Sequence, residues 1–268
     1  MILQSFDEFD LKQTFDCGQC FRWDEQPDGA FLGVAGKRVI KAVQTGNTID
    51  ITCPDDVFIN DYFDLKRDYT KIKNFIGKDT IINEALKSGG GIRILRQEPW
   101  ETVVSFIISA NNNIPRIKKI INSLCTLFGD EITFEGKLFY SFPSAERLAS
   151  LTVADLSPIK SGFRDKYILD AAQKVASCEV VLDDIYGMSS AEGRRYLKQI
   201  KGVGDKVADC VLLFAYGKFD VFPKDVWIKK TLDNLYNVEE KDIDGFVSDK
   251  FGDYGGFAQQ YLFYYARG

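Results

Sequence analysis

Residues 197–230 read LKQIKGVGDKVADCVLLFAYGKFDVFPKDVWIKK. Leu197 to Ile200 closes one helical pattern, and Val207, Val211 and Phe214 open another at helical spacing. Between them, Lys201-Gly202-Val203-Gly204-Asp205 makes a tight turn with two glycines, which suit a sharp bend and a close backbone approach. A G-x-G turn that opens a helix presents free N–H groups beside the positive end of the helix dipole, a setting that suits a phosphate. Residues 197–215 are therefore predicted to form a helix-hairpin-helix, with Lys201, Gly202 and Gly204 as its nucleic-acid-facing residues. A glycine turn also serves plain helix packing, and the turn alone leaves both readings open.

Two neighbours add chemistry. Lys206 stands in the first turn after the hairpin, whereas cations favour the opposite end of a helix. Cys210 is four residues on and shares its face. Asp225, within Pro223-Lys224-Asp225-Val226, reads as the N-cap of the following helix. Taken singly, a surface lysine and an ordinary cap explain both residues. The chain contains no histidine, so every mechanism that needs an imidazole base is excluded. Lysine, carboxylates, cysteine or tyrosine must carry any catalysis.

Outward from this segment the chain changes character. Residues 20–23, 30–34, 39–43 and 48–52 are short runs rich in Val, Ile, Phe or Trp, separated by turn signals such as Gln26-Pro27-Asp28-Gly29 and Ala35-Gly36. They predict a meander of about four antiparallel strands. From about residue 57 the pattern is helical. The apolar run Thr102 to Ala110 stops at Asn111-Asn112-Asn113, and Pro115 opens a further helix that carries Ile117, Ile120, Ile121 and Leu124. The fold expected is α+β: a small N-terminal antiparallel β domain over residues 1–78, then a larger all-α domain over 79–268 that contains the hairpin.

The bulk numbers constrain the setting. A chain of 268 residues, 45% hydrophobic and 27% charged, has an ordinary globular composition. Its net charge of −5 argues mildly against nucleic acid, but the charge is uneven. Residues 93–120 hold five Arg/Lys against two Glu, and residues 201–230 hold six Lys against four Asp. These windows carry +3 and +2, which leaves −10 for the remainder, so a locally positive face can still meet phosphates. MILQSFDEFD at 1–10 has no signal-peptide pattern and no apolar run reaches about 18 residues, so a cytoplasmic protein with no membrane contact is expected. Six scattered cysteines read as reduced thiols. Cys17 and Cys20 form a C-x-x-C, yet no second pair stands at zinc spacing, which weighs against a metal site.

In combination the motifs resemble the helix-hairpin-helix DNA glycosylase superfamily, and within it the 8-oxoguanine DNA glycosylases. The hairpin, Lys206 and Asp225 match the family's catalytic motif. CGQCFRW at 17–23, IRILRQEPWE at 92–101, SFIISANNNIPRI at 105–117, GFRDKY at 162–167 and GFAQQYLF at 256–263 match further segments, so the resemblance covers most of the chain. It implies a bifunctional glycosylase and AP lyase that flips 8-oxoguanine out of double-stranded DNA. Lys206 would attack C1′ as nucleophile and form a Schiff base, Asp225 would stabilise positive charge on the sugar, and β-elimination would nick the strand. Gly18, Cys210, Gln259 and Phe263 would form the base pocket, with the Gly18 carbonyl accepting from the N7–H that distinguishes 8-oxoguanine. Asn111, Arg116, Phe163 and Arg164 would handle the opposite cytosine and the gap, with Phe163 as the wedge. Core packing is the competing reading of Phe163.

The resemblance implies no required cofactor and a monomer, while a structural cation on the hairpin carbonyls near Ile200 and Val203 stays open. Only Cys210 follows the hairpin, so the iron–sulfur cluster of the endonuclease III-like branch is not expected. Trp227 stands where the better-known members carry a phosphate-touching histidine, and Phe163 where they carry tyrosine. Two alternatives remain: a non-catalytic helix-hairpin-helix DNA-binding protein, or a glycosylase for a different damaged base.

Overall fold

The computed structural model of the protein describes residues 1–3 and 9–267, so part of the N-terminal stretch and Gly268 lie outside the described residues. Five antiparallel strands form one sheet in the order β1-β5-β4-β3-β2, with β1 at Ile2–Leu3, β2 at Trp23–Glu25, β3 at Phe31–Ala35, β4 at Arg38–Thr45 and β5 at Thr48–Thr52. The β3–β4 hairpin closes through Gly36 and Lys37, both at positive φ, the two-residue turn whose twist matches that of the flanking strands. Three strands agree closely with the sequence reading. The first shifts from 20–23 to Trp23–Glu25; just before it the Gln19 carbonyl accepts from Gln97 Nε2 at 2.7 Å, and the Arg22 side chain pairs with Glu101 at 3.2 Å.

The strands cover one aromatic core. Trp23 stacks on Phe15 with centroids 4.0 Å apart and donates through Nε1 to Tyr62 Oη at 2.8 Å. Across the sheet it faces Gly33, where any Cβ would lie 2.3 Å from the indole, so the glycine makes room for the ring. A second, larger core is built by helices around Ile107, Ile108, Leu124, Ile168, Val211 and Leu262. Its central helix is Pro99–Ser109, capped by Glu98 and buried from Thr102 to Ile108, which explains the unbroken apolar run. Asn111, at φ +50, ends the turn that follows, and Asn113 caps the next helix, Ile114–Phe128. The two cores interleave along the chain, since Tyr69, Ile72 and Ile76 belong to the helical one and Leu95 to the other.

The strap from Gly91 to Gln97 joins them. Buried Arg93 donates to the Phe63 carbonyl at 2.9 Å and stacks 4.0 Å over Tyr69. Arg96 N donates to Tyr62 O at 2.8 Å, and Gln97 N to Phe214 O at 2.7 Å.

One element corrects the reading of an all-α second part. Residues 131–140 form a two-stranded hairpin, β6 at Glu131–Phe134 and β7 at Lys137–Tyr140, turning on Glu135-Gly136 with both residues at positive φ. Its alternation of polar and apolar residues is a strand pattern that the surrounding helical periodicity masks. No helix among the described residues is long and apolar enough to cross a membrane.

Candidate active site

The hairpin forms where the sequence places it. The helix Ser190–Leu197 ends, Val203 N donates to Ile200 O at 3.1 Å, and the helix Asp205–Phe214 begins. Gly202 is doubly required: its φ is +85, and a Cβ there would lie 2.6 Å from the Tyr167 ring. Gly202→Ala is therefore expected to distort the hairpin and to weaken DNA binding about tenfold or more in an anisotropy titration, with most of the helical circular-dichroism signal retained. Exposed Lys201 is anchored by its backbone N–H to Asp170 at 2.8 Å. Gly204 is the N-cap and supplies no side-chain cap bond, while a Cβ on it would meet nothing. Among the described residues no side chain caps the start of the new helix.

Lys206 follows at once. Its Nζ donates to Ser109 Oγ at 3.3 Å and lies 5.1 Å from the centroid of Phe106. Ser109 Oγ in turn donates to the Phe106 carbonyl at 2.8 Å, so the hydroxyl is oriented to accept from the lysine. Asp225 caps the helix Val226–Tyr236, its Oδ1 accepting from Ile228 N at 2.7 Å. Among the described residues neither Lys206 nor Asp225 takes part in a salt bridge.

Both residues line two adjoining cavities. The inner one, about 40 Å³, is bounded by Gly18, Cys210, Gln259 and Phe263 together with Lys206 and Asp225. The outer one, about 460 Å³, shares Gly18, Lys206, Asp225 and Phe263 and adds Asn113, Trp227 and Arg267. All four residues expected in a base pocket therefore meet beside the lysine and the aspartate. Gln259 is buried, and among the described residues its Oε1 has no hydrogen-bond partner. A buried acceptor left unpaired is costly, so this atom marks a place built for a donor. Phe263 lies one helical turn further along the helix Gly255–Tyr265, with its ring 3.1 Å from where a Gly18 Cβ would stand. Gly18 itself has φ +78, so glycine is needed there on both counts.

The rigidity of the Gly18 loop was not visible in the sequence. Buried Gln19 donates to Thr14 O at 2.9 Å and to Arg93 O at 2.7 Å, while its Oε1 accepts from Leu95 N at 2.9 Å. Gln260, on the pocket helix, donates to the Cys17 carbonyl at 2.6 Å. Both glutamines hold the backbone that presents Gly18. The paired cysteines serve packing: Cys17 and Cys20 are buried, and burial pushes both thiols up, Cys17 to about 12. Burial likewise raises Cys210 to about 11 against the opposing pull of nearby Lys206. Cys210 therefore stays a neutral thiol at assay pH. Iodoacetamide at pH 8 is expected to modify the exposed Cys178 and leave Cys210 untouched by peptide mass mapping.

The second group gathers around the Asn111 turn. Phe163 is 57% exposed, which removes the core-packing reading, and it meets Tyr167 edge-on with centroids 5.9 Å apart. Arg116 and Asn111 are exposed at the surface. Arg164 differs from the sequence expectation of a residue held out to a base. It is 3% exposed, and its guanidinium donates to the carbonyls of Ala110, Ser161 and Asn111, the last two at 3.0 and 2.9 Å. In this state it braces the turn that carries Asn111. Among the described residues no three His, Cys, Asp or Glu side chains converge to hold a metal.

Residues 1–103 match the N-terminal domain of 8-oxoguanine DNA glycosylase, and residues 104–251 match the HhH-GPD superfamily of base excision DNA repair proteins. The chain belongs to that superfamily, in its N-glycosylase/DNA lyase family. The fold is nearly superimposable on the structure of MBOgg1 in complex with a low-affinity DNA ligand, at 49% identity and a TM-score of 0.95, covering 99% of this chain and 94% of that one. It is equally close to the Clostridium acetobutylicum 8-oxoguanine glycosylase/lyase in complex with double-stranded DNA containing cytosine opposite 8-oxoG, at 41% identity, a TM-score of 0.95 and the same two coverages. The N-glycosylase/DNA lyase of Saccharomyces cerevisiae is 36% identical over 65% of this chain, and the match spans 56% of the yeast protein.

Proposed function

We propose that the protein is a bifunctional DNA glycosylase/AP lyase that removes 8-oxoguanine paired with cytosine in double-stranded DNA. The observation that carries this is the buried, unpartnered Gln259 Oε1 in the inner cavity, directly beside Lys206 and Asp225. It supports a slot made to read a base edge rather than a hairpin that only grips phosphate.

In this mechanism the nucleotide leaves the stack and its base enters the inner slot. At about 40 Å³ the slot is tight, with the Phe263 ring 3.1 Å from where a Gly18 Cβ would stand, so entry of a purine is expected to displace that ring. The Gly18 carbonyl would accept from N7–H, and guanine, with a lone pair there, would leave that acceptor unpaired. Lys206 Nζ, as the neutral amine, attacks C1′ as the N-glycosidic bond breaks; the bonding electrons depart on the base, which takes up the proton that the new C–N linkage sheds. Asp225 stabilises the positive charge that grows on the sugar. Opening of the sugar gives a Schiff base; loss of a C2′ proton then expels the 3′ oxygen and nicks the strand. Phe163 fills the vacated stack while Asn111 and Arg116 face the orphaned cytosine. Lys201 and the N–H groups that open the helix after Gly204 take phosphates. No cofactor is needed, and a cation on the hairpin carbonyls would be structural.

Single-turnover excision on three otherwise identical duplexes tests the reading. Release of 8-oxoguanine opposite cytosine, with a nicked product and no release of guanine, is expected. Release of 3-methyladenine instead would move the substrate to another damaged base. Binding without release of any base would favour a non-catalytic DNA-binding protein.

A further inference from the structure

The chain has three tryptophans, and one of them is out of place. Trp23 and Trp100 are 2% and 8% exposed, and their indole N–H groups donate to Tyr62 Oη at 2.8 Å and Pro143 O at 2.9 Å. Trp227 is 61% exposed, and Val226 beside it is 67% exposed. Among the described residues the Trp227 indole N–H has no hydrogen-bond partner.

Its backbone, in contrast, is firmly held. The Trp227 carbonyl accepts from Thr231 Oγ1 at 2.8 Å, and the next amide, Ile228 N, is capped by Asp225 at 2.7 Å. The ring is thus carried on the first turn of a helix, two residues beyond Asp225. It lines the outer cavity with Lys206, Asp225, Phe263 and Asn113. This cavity adjoins the inner slot through Gly18, Lys206, Asp225 and Phe263, so a strand that delivers a nucleotide there is placed beside Trp227.

We infer that Trp227 binds the lesion-bearing strand by laying its indole face on the sugar and base of the nucleotide next to the flipped one. The inference rests on the function proposed above. An indole is uncharged at every working pH and offers one N–H donor and a broad apolar face, so it is suited to stacking and not to neutralising phosphate. Aromatic stacking on a nucleotide is tolerant of sequence and displaces no counterion. Trp227 therefore supplies grip on the lesion strand that salt does not weaken, a useful complement in a protein of net charge −5.

Trp227 is well placed for a direct test, since it is the one tryptophan open to a quencher. With Lys206→Gln to halt the reaction at binding, saturating 8-oxoguanine:cytosine duplex should shield the fluorescence from acrylamide. Trp227→Phe should leave only unquenchable emission and keep affinity within about threefold. Trp227→Ala should weaken binding about 10- to 100-fold with an unchanged slope of log affinity against log salt. Because the chain has no histidine, Trp227→His adds a lone imidazole. That variant should gain a steeper salt slope only below about pH 6.5.

A saturated complex in which acrylamide still reaches Trp227, with Trp227→Ala binding as tightly as the unaltered protein, would overturn this inference and leave the proposed reaction standing. Shielding that appears without DNA as protein concentration rises would overturn it in favour of contact between copies. Failure of the unaltered protein to bind the duplex, or to excise the base, would strike the proposed function itself.

Discussion

Lys206→Gln is expected to lower base release by roughly four orders of magnitude or more in single-turnover assays, while duplex affinity changes only a few-fold. The size of the first effect follows from what is left. With no histidine in the chain and Cys210 held as a neutral thiol by burial, no other nucleophile described in the inner cavity replaces the amine. The small second effect follows from the hairpin geometry. Phosphate contact is assigned to Lys201 and to backbone N–H groups around Gly202 and Gly204, none of which the substitution removes. Glutamine is also a good helix former of similar length, so the helix Asp205–Phe214 should be undisturbed. A variant that kept a tenth of the activity would point to a water-mediated hydrolysis in place of amine attack.

Asp225→Asn and Asp225→Ala should separate two jobs that one carboxylate performs. Asp225 Oδ1 accepts from Ile228 N at 2.7 Å, the bond that starts the helix Val226–Tyr236. Asparagine can make the same cap, so Asp225→Asn should cost only a few tenths of a kcal/mol, whereas Asp225→Ala should cost about 1 kcal/mol in a urea melt. Base release should fall about 100- to 1,000-fold in both, because each loses the negative charge that faces the developing oxocarbenium. Thermodynamic and catalytic effects should therefore part company in the asparagine variant. Full activity in Asp225→Asn would mean that the residue is a helix cap and nothing more.

The ease of reading different parts of this chain follows from how local their determinants are. Hairpin, lysine and capping aspartate lie within 29 residues, and each stands out by a local rule: glycine at a sharp bend, a cation at the helix end that disfavours it, a carboxylate ahead of free N–H groups. The strands β3 to β5 were legible for the same reason, through alternation and turn residues. What could not be read depends on pairs far apart in the chain. Gln260 reaches the Cys17 carbonyl across 243 residues, and Gln19 reaches Arg93 O across 74, so nothing nearby in sequence marks either as a support of the Gly18 loop. Arg164 sits in a motif that resembles a DNA contact, yet burial turns its donors onto three backbone carbonyls. Phe163 is the converse case, since only the fold could decide between core and surface, and it stands exposed. The hairpin β6–β7 went unread because ten residues of alternation are a weak signal amid helical periodicity.

The most direct test of the central claim is to trap the reaction with sodium borohydride on an 8-oxoguanine:cytosine duplex and map the modified peptide by mass spectrometry. A Schiff base at Lys206 predicts a reduced sugar adduct on that residue, with the bond between sugar and Nζ surviving digestion. An adduct mapped to Lys201, Lys224 or the N-terminal amine, or none while base release proceeds, would contradict it.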